Sequence, residues 1–288
     1  MRLPGIRAEF RKEFPKPKRI LAARLLAKPL SNRYSTVGTA FDYLLRFYLE
    51  RTIPHAKRRS WVAEAGLRAL GGLTDVVDVD TNEVLTEYEN AEVAAGYKVY
   101  REAHAAYTRY LKNAVVSTAL LQGALCLAQL DGVIRFGAAD GLGTSYPEDL
   151  RDLRALMRLI RPELFPSNRR CLLNPTFGNA SRGIGGADAD LILDDLLIDI
   201  KTTKHLVLTQ DLFNQLIGYF VLHEISGLKD GRRKSRINRL GIYFARHAHL
   251  EVFEVKDVIN PNTFPGFLQW FSDRTTPRRR RRVGRSKL

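Results

Sequence analysis

A chain of 288 residues with 45% hydrophobic positions is long enough to bury one or two sizeable cores. Its 46 Lys and Arg against 31 Asp and Glu leave a formal charge of +15, which points away from small neutral metabolites and toward a polyanion, nucleic acid before an anionic membrane surface. Two cysteines, Cys126 and Cys171, are too few for a four-cysteine iron–sulfur cluster or a structural zinc site, and read as buried thiols of a reducing compartment.

In chain order, residues 1–30 are basic and proline-containing and read as an arm that wraps the surface. The arm shows no apolar run of the kind a secretory signal needs, and no run near eighteen apolar residues follows, so the expectation is a cytoplasmic protein without a membrane span. In "STVGTAFDYLLRFYLER", Val37, Phe41, Leu44, Leu45 and Tyr48 recur at helical spacing behind Ser35 or Thr36 as N-cap. Residues 56–86 are mixed. Asn90–Lys112 and Ala114–Arg135 read as two helices rich in alanine and leucine. Another starts at "SYPEDLRDL", where Ser145, Pro147 and Glu148 offer cap, first-turn proline and capping-box acid.

The period then changes. "CLLNPTF" (171–177), "ADADLIL" (187–193) and "LLIDIKT" (196–202) alternate as strands, the last two joined by a tight turn at Asp194-Asp195. "TQDLFNQLIGYFVLHEI" is a helix capped by Thr209. "RLGIYFAR" and "HLEVFEV" return to strands, and "TFPGFLQWFS" reads as a short closing helix. The expected fold is α/β, a mixed central sheet flanked by helices, with an additional α-helical region over about 56–165. One domain over 31–273 and a disordered arginine-rich tail over 274–288 complete the layout.

The chemistry gathers in the hairpin. If Asp194-Asp195 forms the turn, Leu193 faces Leu196; counting back, Asp190 lies opposite Asp199 and Asp188 opposite Lys201. Three carboxylates and one ammonium then share one face, while Leu191, Leu193, Leu196, Ile198 and Ile200 form the core face. Opposed like charges on a sheet are unfavourable, and a divalent cation such as Mg²⁺ or Mn²⁺, which takes hard oxygen ligands, relieves them. An ordinary polar strand, with Lys201 paired to Asp188 or Asp199, satisfies the same spacing. On the next helix Gln215 and Tyr219, four residues apart, share a face.

Asp188, then Asp199-Ile200-Lys201 on the following strand, then Gln215-Leu216-Ile217-Gly218-Tyr219 on the next helix, resembles the PD-(D/E)xK nuclease superfamily. It is most similar to the RecB-type branch of CRISPR-associated and recombination exonucleases. The resemblance covers roughly residues 35–50 and 170–246. It implies a restriction-endonuclease-like fold and metal-dependent hydrolysis of phosphodiester bonds, with DNA as the expected substrate. That branch's first motif sets a histidine four residues after a glycine; here Gly38 is followed by Asp42, itself a competent hard-metal ligand. On this resemblance Asp188 and Asp199 are the main metal ligands, the Ile200 carbonyl a third, and Asp42 a further one, with Asp190 as rival to Asp188. Lys201 orients or deprotonates the attacking water and stabilises the developing negative charge, while Gln215 and Tyr219 brace the site or touch the nucleic-acid strand.

The basic run "LKDGRRKSRINR", with Arg232, Arg233, Lys234 and Arg236, reads as a loop that contacts the phosphate backbone, as does the tail. His247 and His249 read as ordinary surface or turn residues. The alternative to catalysis is a non-catalytic nucleic-acid-binding protein, or an accessory subunit of a larger complex that retains the fold.

Overall fold

The computed structural model describes residues 5–71, 73–77, 84–88, 91–137, 141–228 and 236–275. Its first half runs α1 (Ile6–Glu13), α2 (Tyr34–Thr52), β1 (Ala56–Arg58), α3 (Val62–Leu70), β2 (Leu73–Val77), β3 (Val84–Tyr88), α4 (Ala91–Asn113), α5 (Thr118–Phe136) and α6 (Pro147–Arg158). The second half runs β4 (Cys171–Leu173), α7 (Gly178–Gly183), β5 (Leu191–Leu193), β6 (Leu196–Lys201), α8 (Gln210–Ser226), β7 (Arg239–Phe244), β8 (His249–Glu254), α9 (Val255–Val258) and α10 (Phe264–Thr275).

Six strands form one mixed sheet in the order β1-β4-β5-β6-β7-β8, and β2 and β3 pair separately. β1–β4 and β6–β7 are parallel; β4–β5, β5–β6 and β7–β8 are antiparallel. The two faces of the sheet carry two cores, because side chains of a strand alternate. Leu191, Leu193, Leu196, Ile198 and Ile200 face a cluster with α2, α3, α4, α5 and α6. Ile192 and Leu197 face a second cluster built on α1, α8 and α10. An expectation of mixed sheet, flanking helices and a helical region is met, with β1 as a strand that the mixed segment 56–86 concealed.

The N-terminal segment is not merely a surface wrap. Ile6, Phe10 and Phe14, four residues apart, are buried, and Phe10 and Phe14 meet Phe267 edge-on at 5.0 and 4.8 Å. Each such side chain taken from water contributes roughly 1.5–3 kcal/mol, enough to dock a helix despite its basic neighbours.

Helix ends also differ from expectation. α2 starts at Tyr34 with Arg33 as N-cap and no side-chain cap, so neither Ser35 nor Thr36 serves. α6 is preceded by Tyr146, not Ser145; the Ser145 hydroxyl accepts a bond from Gln122 Nε2 at 3.2 Å instead. Thr209 does cap α8, accepting from the Leu212 amide at 3.2 Å. The closing helix α10 runs to Thr275, which packs against Gly183 of α7, where a Cβ would lie 2.2 Å from the Thr275 carbonyl oxygen.

By length and composition α5 passes the test for a membrane-crossing helix, although no such run was read from the sequence; it is 67% buried within the protein. It is the centre of the helical layer, crossing α3 so closely that a Cβ on Gly66 would lie 1.9 Å from the Leu130 carbonyl oxygen. Cys126 and Cys171 are buried free thiols, pushed up by burial to about 11 and about 12.

Candidate active site

The β5–β6 hairpin has the register that the alternation predicts: Leu193 faces Leu196, Ile192 faces Leu197 and Leu191 faces Ile198. Its turn is built from two of the five aspartates. Asp194 adopts φ 51°, and its carboxylate accepts the backbone amides of Asn168, Arg169 and Arg170 at 3.0, 2.8 and 2.9 Å. Asp195 pairs with Arg239 at 2.6 Å. Burial would raise both carboxyl pKa values, yet the amide bonds at Asp194 and the Arg239 and Asn238 contacts at Asp195 bring them net below the ordinary value. Arg239, which closes the basic run and opens the strand read from "RLGIYFAR", is tied to this turn.

Past Leu191 the ladder ends. Residues 187–190 are not in β5; Asp188 keeps only an isolated bridge to Thr176, so the chain leaves the hairpin before Asp188 can face Lys201. The Asn174 amide donates to the Asp190 carbonyl at 2.9 Å, steering this segment toward β4.

At this open end the other carboxylates meet. The Ile200 amide donates to Asp190 Oδ2 at 2.6 Å, and Lys201 Nζ lies 2.6 Å from Asp199 Oδ2. The Asp199 side chain is 1% exposed, and its Oδ1 has no hydrogen-bond partner. From the other layer, α2 brings Asp42 alongside. Gly38 makes this possible, because a Cβ there would stand 2.8 Å from the Thr202 hydroxyl. Asp42 Oδ2 pairs with Arg46 at 2.6 Å one turn on, while Asp42 Oδ1 is buried without a hydrogen-bond partner.

Electrostatics tie these groups into one cluster. Burial drives the Asp42 carboxyl up to about 7; Arg46 pulls it down, and Asp190 and Asp131 push it further up. Burial likewise drives Asp199 up to about 6, with Lys201 opposing and Asp190 adding. Burial alone would lower the Lys201 pKa, but Asp199, Asp190 and Asp42 outweigh it and hold the net value above that of a free lysine. Tyr219 from α8 also faces the cluster: burial, then Asp199 and Asp190, raise its phenol well above the ordinary range. Gln215 Nε2 donates to the Tyr219 hydroxyl at 2.8 Å, and Tyr219 stacks on Phe177 at 6.1 Å.

Asp188 sits to one side. Its carboxyl is raised by burial and lowered by a hydrogen bond from Thr176 and by Arg59, Arg135 and Arg46. The carboxylate whose charge acts on Asp42, Asp199, Lys201 and Tyr219 alike is Asp190, while Asp188 stands beside Thr176. Ile200 contributes its amide, through Asp190. Arg232, Arg233 and Lys234 lie outside the described residues, as does the tail beyond Thr275. Arg236 is exposed, and its carbonyl receives Arg170 at 3.4 Å.

Two supports were not legible beforehand. Arg246, 1% exposed, pairs with Asp152 of α6 through two bonds at 2.7 and 2.9 Å. It also donates from Nε to the Thr202 carbonyl at 2.6 Å, and its own carbonyl accepts the Leu26 amide at 2.9 Å. Arg246 thus ties the residue after Lys201 to the helical layer through its guanidinium and to the N-terminal segment through its carbonyl. Tyr43 donates to Asp131 at 2.9 Å, and Asp131 pairs with the exposed Arg135 at 3.4 Å, whose charge also acts on Asp42 and Tyr219. His247, expected at the surface or a turn, is 5% exposed because it closes the β7–β8 turn; its pKa is lowered by burial, then by His249 and Arg246.

In donor chemistry the cluster fits a hard divalent cation: carboxylate oxygens, two of them buried and unsatisfied. In arrangement each carboxylate is turned to an internal partner, and among the described residues no three His, Cys, Asp or Glu side chains stand as a ready metal-holding group. Comparison with protein-family models, with curated proteins and with solved structures gave no match.

Proposed function

We propose that this protein is a metal-dependent nuclease that hydrolyses phosphodiester bonds, DNA being the expected substrate, at the open end of the β5–β6 hairpin. The observation that carries the reading is the pair of buried, unsatisfied oxygens, Asp42 Oδ1 and Asp199 Oδ1, flanking Asp190 beside an ammonium group. Such atoms are costly to leave unpaired and call for a cationic partner. Asp42, Asp190 and Asp199 would hold Mg²⁺ or Mn²⁺, which supplies charge neutralisation of the phosphoryl oxygens and a more acidic bound water.

The chain's own groups do the rest. Lys201 is protonated at neutral pH, since its pKa is held above the ordinary lysine value. Of orienting water, deprotonating it and neutralising charge, the first and last suit a protonated group, so Lys201 stabilises the charge that develops on the phosphorus oxygens. Tyr219, also protonated, donates or accepts through its hydroxyl while Gln215 fixes its direction. Asp190 is held in line by the Ile200 amide.

The non-catalytic reading draws on a different observation, the closed Asp42–Arg46 pair, which occupies one carboxylate without any ligand. Incubation of linear, circular and single-stranded DNA with the protein in Mg²⁺, Mn²⁺ or EDTA separates the two. Nuclease action requires cleavage that depends on metal and falls roughly 10³-fold in Lys201→Ala with nucleic-acid binding retained. Cleavage that Lys201→Ala leaves unchanged would falsify the site.

A further inference from the structure

We propose that the groove lined by the paired strands β1 and β4 and the segments that follow them seats a single strand of nucleic acid and leads its phosphates to the carboxylate cluster, an inference that rests on the nuclease reading and names the form of substrate the site receives. β1 is the edge of the six-stranded sheet. Its sequence runs directly into Lys57-Arg58-Arg59-Ser60, all exposed. Cations on an edge discourage a further strand from pairing there and attract a polyanion.

Under this edge lies a cavity of about 460 Å³, walled by Lys57, Arg58 and Arg59 and floored by Leu172, Pro175 and Thr176. That volume is in the range of a small-molecule site. It takes a nucleotide or two, with bases over the aliphatic floor, and is too small for a duplex. The three cations are not equivalent. Arg58 is braced by Glu50 at 3.4 Å and lies over the rings of Trp61 and Tyr107 at 5.3 and 5.7 Å. The side chains of Lys57 and Arg59 have no hydrogen bond or ion pair among the described residues, in contrast to Arg46, Arg239 and Arg246, each held by a carboxylate. They are free to take phosphate.

The groove adjoins the site through Thr176. Thr176, part of its floor, pairs with Asp188 in an isolated bridge. Asp188 feels the Arg59 charge on the groove side and those of Arg135 and Arg46 on the other. A strand lying along Lys57 and Arg59 therefore passes Asp188 and arrives at Asp190, two residues on.

The test is fluorescence anisotropy in EDTA, with the full-length protein, 12-nucleotide single-stranded DNA and RNA, and a 12-base-pair duplex. In Lys57→Glu/Arg59→Glu, single-strand affinity drops tenfold or more. The slope of log K against log salt shrinks by about 1.4, two phosphate contacts at about 0.7 each. The same charge reversal on α1, Arg11→Glu/Lys12→Glu, changes affinity far less, and the tighter of the DNA and RNA arms names the sugar. Equal losses in the two charge-reversed pairs, an unchanged salt slope, or a preference for duplex overturns the groove. Cleavage need not occur in this assay, so the two claims fail separately. Groove-dependent binding by a protein that never cleaves in Mg²⁺ removes the nuclease reading alone. Cleavage by a protein indifferent to Lys57→Glu/Arg59→Glu removes the groove alone.

Discussion

At its turn the β5–β6 hairpin carries Asp194 and Asp195, whose carboxylates take three backbone amides and one guanidinium. At its open end it carries Asp190 and Asp199, where Asp199 keeps one oxygen buried and unsatisfied. The same residue type is pulled below its ordinary pKa at one end and driven up to about 6 at the other. Satisfied carboxylates hold a fold together; under-satisfied ones store an electrostatic demand that a ligand can meet. The difference between the ends is the supply of donors, and it separates the two aspartates of the turn from the two at the open end.

The largest break in that comparison is expected at the open end. On the proposed nuclease reading, Asp190→Asn should lower cleavage on the order of 10³-fold, measured under saturating DNA in Mg²⁺. Asp188→Asn, one bridge further out, should lower it far less. Equal losses from the two substitutions would return Asp188 to the centre of the site.

The turn should respond in stability instead. Asp194→Ala strands three amides and should cost about 1–3 kcal/mol, read by denaturant unfolding. Turnover per folded molecule should stay within a factor of about two, since no reacting group is touched. A loss of turnover as large as that of Asp190→Asn would show that the two ends are not separable.

The smallest effect sharpens the comparison through pH. Asp42, at about 7, binds its proton more tightly folded than unfolded. Without metal its contribution is fully present at low pH and lost as pH rises toward 7, by linkage. Asp42→Asn cannot ionise, so its melting temperature relative to the parent should climb by on the order of 5 °C between pH 4 and pH 8 in EDTA. Mg²⁺ should narrow the gap at pH 8, because the cation stabilises the carboxylate that the proton otherwise protects. A gap that is flat with pH would mean that Asp42 ionises freely in the fold.

Much of this was legible in one dimension. Alternation in residues 191–201 defined both strands, and an Asp-Asp pair between apolar neighbours defined the turn, because a period of two leaves only one register that keeps Leu193 and Ile198 in the core. Gln215 and Tyr219 shared a helix face by spacing alone, and the structure joins them by a hydrogen bond. The expected register of Asp188 opposite Lys201 does not form, because the alternation was extended beyond the point where the ladder stops. β1 was hidden because three residues carry no period, and α1 because its charged neighbours masked Ile6, Phe10 and Phe14.

The sequence by itself determined which residues could carry charge chemistry and which face of each element would be apolar, since both follow from local spacing. Only the tertiary structure decided which carboxylate stands at the centre, that Gly38 lets α2 bring Asp42 against Thr202, and that Arg246 ties Thr202 to α6 and the Leu26 segment. These are contacts between residues far apart in the chain, and burial and donor supply at such contacts set the pKa of each acid.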